Sequence, residues 1–169
     1  MNSWYTVKVK FTKEFNDGTL KRVTEPYLIS ALSFTESEAR VYKEIGEFVR
    51  GEFLVTGITK TDFADIFQFS DGDNWYKCQV SYVTEDADSG KEKRVNNNFL
   101  VNAHNVREAY DRIETSLKGL MVSYEIPKIE KSPIVEIFPY VPGEELEADK
   151  EETSSPNINV ATKDTEEIC

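Results

Sequence analysis

Cysteine is almost missing from this chain. Two occur, Cys78 and Cys169, far apart in sequence. Their spacing builds neither a disulfide framework nor a zinc site, and a reducing compartment suits them best. Histidine occurs once, at His104, between Ala103 and Asn105, and the sequence shows no partner that would make it a general base. No phosphate loop, nucleophile elbow or metalloprotease motif is present. The expectation is therefore a non-enzymatic protein with no cofactor and no metal. No apolar run follows a basic start, so no signal peptide is expected. No stretch approaches about 18 apolar residues, so no membrane span is expected either. A cytoplasmic location follows as an expectation.

The net charge of −11 comes from 31 acids against 20 bases, unevenly placed. Residues 143–169 hold nine acids and two bases, a net of −7. Residues 1–142 therefore hold 22 acids and 18 bases, a net of −4. The overall acidity mostly describes the tail, so a polyanionic partner is not excluded, but any basic surface must be local.

Two stretches, 4–67 and 75–138, read as copies of one β-β-α-β(-β) unit. The first opens Trp4-Tyr5-Thr6-Val7-Lys8-Val9-Lys10-Phe11, the second Trp75-Tyr76-Lys77-Cys78-Gln79-Val80-Ser81-Tyr82. Both alternate apolar and polar residues, the period of a half-buried strand. Glycine turns follow at Asn16-Asp17-Gly18 and Asp88-Ser89-Gly90, where positive φ closes tight hairpins. Second strands run from Lys21-Arg22-Val23 to Ala31 and from Lys93-Arg94-Val95 to Ala103. Pro26 donates no ladder hydrogen bond, so that strand should be an edge or carry a bulge. Ser33-x-x-Glu36 and Asn105-x-x-Glu108 have the form of capping boxes. Apolar spacing predicts helices near 34–50 and 106–118, stopped by glycines 51 and 119 at left-handed positions. Extended segments close each unit: 53–60 and 63–67 in the first, 121–128 and 134–138 in the second. Pro127 and Pro133 again argue for edges or breaks.

A unit of about 60 residues is marginal alone, so the copies should share a core. The expected fold is α+β, one domain over 1–142 made of two repeats about a pseudo-twofold axis, with an antiparallel sheet carrying both helices on one face. Read across the joint, strands 53–60, 63–68, 75–83 and 93–103 precede the helix at 106–118. Four strands then a helix is the order in single-stranded nucleic-acid-binding folds of the Pur and whirly type, a topological analogy that does not fix function. Residues 143–169 are few in apolar side chains and rich in acids, which predicts a disordered acidic tail.

The pattern of a Trp-Tyr strand, a glycine turn, Lys-Arg-Val, Phe-Leu-Val-Asn-Ala, Glu-Ala on a helix and Ile-Val-Glu-Ile-Phe resembles a domain family of unknown function. That family occurs in Bacteroidetes bacteria and their phages, crAss-like phages included. The resemblance covers roughly residues 4–138 and is closest in the second copy. It brings no activity and no functional residues. It implies an intracellular setting in a bacterium or a phage-infected host cell.

Cys78 falls on the apolar strand face with Tyr76 and Val80, the position of a buried filler. Asp86-x-Asp88-x-Gly90 lacks the glycine and final acid positions of a calcium loop and reads as a hairpin tip. Trp4 shares a strand face with Lys8 and Lys10, and Trp75 shares one with Lys77. Aromatics with lysines on a sheet face suit stacking of unpaired bases, at about 1–3 kcal/mol per base. Lys21, Arg22, Lys93 and Arg94 would flank them. The competing reading is that the tryptophans plug the far side of a two-faced sheet while the lysines protect its edges. The leading expectation is a binding protein for single-stranded DNA or RNA, with the acidic tail as electrostatic competitor or recruiter of another protein. The alternative is a protein–protein module, a phage accessory factor or an inhibitor of a host protein, using the same aromatic face. A tail that only adds solubility is the simpler reading of that segment. Oligomeric state is left open.

Overall fold

Two long β-hairpins frame the protein. In this computed structural model, which describes residues 2–140, β1 (Ser3–Glu14) pairs antiparallel with β2 (Leu20–Ala31), and β5 (Asn74–Glu85) with β6 (Glu92–Ala103). The hairpin tips carry Gly18 at φ +81° and Gly90 at φ +66°, a region that costs a side chain but not a glycine. The Asp86 carboxylate accepts the Asp88 amide at 2.9 Å, so it serves the turn. The acidic tail predicted over 143–169 lies outside the described residues.

Helices α1 (Phe34–Gly46) and α2 (Val106–Ser116) start where their caps predict. Ser33 Oγ accepts the Glu36 amide at 3.1 Å, and Asn105 Oδ1 accepts the Glu108 amide at 2.9 Å. The glutamates reach back one residue further than a standard capping box, to the amides of Leu32 and His104. Both helices end earlier than their sequence stops suggest. Gly51 does take positive φ, at +94°, but it lies beyond the helix in the approach to the next strand. Gly119 does not take positive φ.

The strands then depart from the single sheet expected. Strand β3 (Phe53–Thr61) pairs with β1, and β7 (Tyr124–Ser132) with β5. The short strands β4 (Asp65–Phe67) and β8 (Glu136–Phe138) cross over: β4 pairs in parallel with β6, and β8 in parallel with β2. The result is two four-stranded sheets, in the orders β3-β1-β2-β8 and β4-β6-β5-β7. The α+β class stands, but each sheet carries its own helix. The crossing has a geometric cause. Thr61, the end of β3, lies opposite Trp4, at the end of the hairpin where the sheets meet, so the chain steps onto the neighbouring sheet. This also removes the four-strand order read across the joint, because β3 stays with β1.

Three apolar clusters follow from strand alternation. Tyr5, Val7, Val9 and Phe11 pack with Val41 and Ile45 of α1. Tyr76, Cys78 and Val80 pack with Ala109 and Ile113 of α2. On the opposite faces, Leu28, Leu100, Trp75, Ile134 and Ile137 form a third cluster between the sheets, with Trp4, Phe63 and Ile66 partly buried against it. Burial pushes the Cys78 thiol up to about 12, as its role as filler implies.

The prolines fit their places. Pro26 lies just before the stretch of β2 covered by β8, where no β8 ladder partner calls for its missing N–H. Pro127 lies at the register shift where β7 skips between Gln79 and Ser81. Strand β7 begins three residues later than expected, which leaves Met121 fully exposed in the loop after α2.

Candidate nucleic-acid interface

Register decides which of the singled-out residues share a surface. In β1, Trp4, Thr6, Lys8, Lys10 and Thr12 point away from α1. Their partners across the ladder are Ser30, Leu28, Pro26, Thr24 and Arg22. This inner face therefore holds Lys8, Lys10 and Arg22, and the acid on this face of the β1–β2 ladder is Glu14 at the hairpin tip. Among the described residues these three cations have no ion-pair partner.

The matching face of the second sheet has different chemistry. Lys77, Gln79, Ser81 and Val83 lie opposite Leu100, Asn98, Asn96 and Arg94. Lys77 and Lys128 both pair with Glu130 at 3.2 Å. Arg94 pairs with Glu125 at 3.6 Å and donates to Ser81 Oγ at 3.3 Å. Lys77, Gln79, Asn96, Asn98, Lys128 and Glu130 line a recess of about 220 Å³. A cleft of about 380 Å³ joins the two faces, with Thr6, Lys8 and Pro26 on one wall and Lys77, Glu130 and Lys131 on the other.

The tryptophans do not form the exposed platform expected of them. Trp75 is 7% exposed and belongs to the cluster between the sheets, and Trp4 is half-buried against it. They plug the far side of a two-faced sheet, the competing reading of the sequence. The basic pairs are also split. Strand alternation sends Lys21 and Lys93 to the helix side and only Arg22 and Arg94 inward. Lys21 instead lies over the Phe15 ring at 5.7 Å, beside Lys13 at 6.0 Å.

His104, alone in sequence, gains partners in space. Its Nδ1 lies 2.9 Å from Glu108 Oε1 and its Nε2 lies 3.6 Å from Asp73. The hydrogen bond to Glu108 is the main cause that raises its pKa above 6.5. The ligand atoms of Asp71, His104 and Glu108 lie within 4.8 Å of one another. The Arg112 guanidinium, however, pairs with Asp71 at 2.7 Å and Glu108 at 2.8 Å, so a cation already holds these carboxylates. Arg112 also donates to the Asn102 carbonyl at 2.7 Å, as Arg40 does to Ser30 in the first half. The shared device pins a helix to its strand, which is a structural task. Beside it, Asn102 exchanges two hydrogen bonds with the Phe69 backbone under Gly72, where a Cβ would come 2.5 Å from the Asn102 amide.

Sequence reasoning missed the amide recess. Its signal was present in Asn96-Asn97-Asn98, a run of poor strand formers in the middle of a strand. No helix among the described residues is long and apolar enough to cross a membrane. No curated protein and no solved structure is significantly similar to the chain. The model of one family, described as a domain of unknown function (DUF4494), matches residues 3–140, and the chain belongs to that family.

Proposed function

We propose that this is a non-enzymatic binding protein for single-stranded nucleic acid, held in the cleft between the two inner sheet faces. The observation that carries the reading is the set of Lys8, Lys10 and Arg22, three cations on one sheet face with no ion-pair partner among the described residues. Unpaired cations on a face that opens into a cleft suit a polyanion, and phosphate contacts provide most of the affinity of such binders. The net charge of −4 over residues 1–142 does not oppose this, because the relevant charge is local. The acidic tail, at −7 over 143–169, would act as a tethered competitor for the same cations or recruit a partner protein. The setting implied by the family resemblance is the cytoplasm of a bacterium or a phage-infected host cell.

The test is fluorescence anisotropy with single-stranded DNA and RNA at two salt concentrations. Three phosphate contacts to a single strand predict a log–log salt slope of about −2. The triple change of Lys8, Lys10 and Arg22 to Ala should flatten that slope and weaken binding. Deleting residues 143–169 should tighten binding, most at low salt where screening is weakest. No binding by either form at low salt would remove the nucleic-acid reading and favour a protein partner.

A further inference from the structure

The two inner faces occupy the same scaffold position but differ in chemistry. The place of Lys8 opposite Pro26 in the first sheet is taken in the second by Gln79 opposite Asn98. Thr24 is replaced by Asn96. The scaffold therefore does not require amides there. Asparagine is also depleted in strands, so Asn96-Asn97-Asn98 is a local conflict with its own element, and such conflicts gather at functional sites. Asn97 is accounted for on the helix side, where its amide donates to the Tyr82 hydroxyl at 3.1 Å. The side-chain amides of Gln79, Asn96 and Asn98 have no protein hydrogen-bond partner among the described residues. They converge on one recess, floored by adjacent strands and rimmed by Lys77 and Lys128, both tied to Glu130. Lys77 and Glu130 also line the cleft that leads to Lys8.

Resting on the reading above, we infer that the two faces divide the recognition: Lys8, Lys10 and Arg22 hold the phosphates of a single strand, and Gln79, Asn96 and Asn98 read the edge of an unstacked base, with adenine preferred. Phosphate contacts position a strand and carry no sequence information, whereas base-edge hydrogen bonds specify it. A carboxamide presents a donor and an acceptor side by side, the complement of the adenine N6–H and N7 pair. Unstacked bases in single strands expose these edges to side chains. The charge of each face suits its part. The first is uncompensated and takes anions. In the second, Glu130 ties up both Lys77 and Lys128 and partly offsets their charge, and the recess between them is lined by uncharged amides that suit a polar, uncharged base.

The experiment compares the full chain with a variant in which Asn96 and Asn98 are both threonine, the strand former that the first half uses at Thr24. Anisotropy with oligo(dA), oligo(dT) and their RNA counterparts is measured at two salt concentrations. The full chain should favour adenine strands by roughly tenfold. Asn96→Thr with Asn98→Thr should abolish that preference and leave the salt slope unchanged. Changing Lys8, Lys10 and Arg22 to Ala should weaken all strands alike and reduce the slope. If the double variant fails to fold by circular dichroism, Gln79→Ala replaces it with the same expectation. Equal binding of adenine and thymine strands by the full chain, or a preference that survives the amide changes, overturns base reading and leaves strand binding intact. No binding of any strand at low salt, by the full chain or by the chain without residues 143–169, overturns both.

Discussion

The Val135 amide donates to the Pro26 carbonyl at 3.0 Å, and so ties the end of the second half to the first hairpin. The Ala64 amide makes the reciprocal bond to the Asn98 carbonyl at 2.8 Å. Each half thus gives its last strand to the other sheet. A fragment ending at Ser70 would lose β8, uncover Leu28 and leave Ile66 and Phe67 of β4 without β6. It should be unfolded or oligomeric by circular dichroism and sedimentation. Mixing it with the fragment that starts at Asp71 should restore the native spectrum. A stable, monomeric first half would contradict the exchange.

His104 gives a pH dependence with a definite sign. Its pKa is raised above 6.5, first by the hydrogen bond to Glu108 and then by the charges of Glu108, Asp73 and Asp71. A raised cationic pKa means stability fully present below 6.5 and lost as pH rises through the folded value. Glu108 is lowered from 4.5, first by His104, so its contribution is present above 4.5 and is lost as pH falls through the lower folded value. The Tm difference between the native chain and His104→Gln should therefore be largest between these limits and shrink toward zero above the folded His104 pKa. His104 is exposed and Glu108 is only partly buried, so solvent screening keeps the effect small. Thermal melts from about pH 5 to 8, with an NMR titration of the imidazole, measure it. Parallel melting curves, or a titration at or below the ordinary histidine value, would refute the pairing.

Much of this architecture is legible in the sequence because it is local. Alternation in Tyr5, Val7, Val9 and Phe11 predicts the buried face, and all four are buried. Gly18 and Gly90 predict the hairpins, and Ser33 and Asn105 predict the helix starts. What escaped is non-local. Three-residue strands such as Asp65–Phe67 have too few positions to show a period, and nothing local states which sheet receives them. The candidate site failed for a related reason. Alternation puts Trp4 and Trp75 on the face opposite the helices, but only the meeting of two sheets decides whether that face is wet or dry. It is dry at the tryptophans and open at Lys8, Lys10 and Asn96.

That distinction sets the expected behaviour of Trp75. Were it a stacking platform, Trp75→Ala would leave the fold intact and lose about 1–3 kcal/mol of oligonucleotide affinity per base. It is instead 7% exposed among Leu28, Leu100, Ile134 and Ile137, and so bridges both sheets and the exchanged strand β8. Removing a buried aromatic costs the transfer of its ring and the cavity left behind, about 3–5 kcal/mol. A domain of this kind has only about 5–15 kcal/mol in total, so the variant should unfold at a much lower urea concentration. Trp4→Ala should cost less, since Trp4 is only half-buried. Urea titration followed by circular dichroism, with m compared to the native chain, separates stability from a change in the unfolded state. Any folded Trp75→Ala should keep the salt slope of oligonucleotide binding, because Lys8, Lys10 and Arg22 are untouched. Unchanged stability together with lost affinity would return Trp75 to the binding surface and take the cleft assignment down with it.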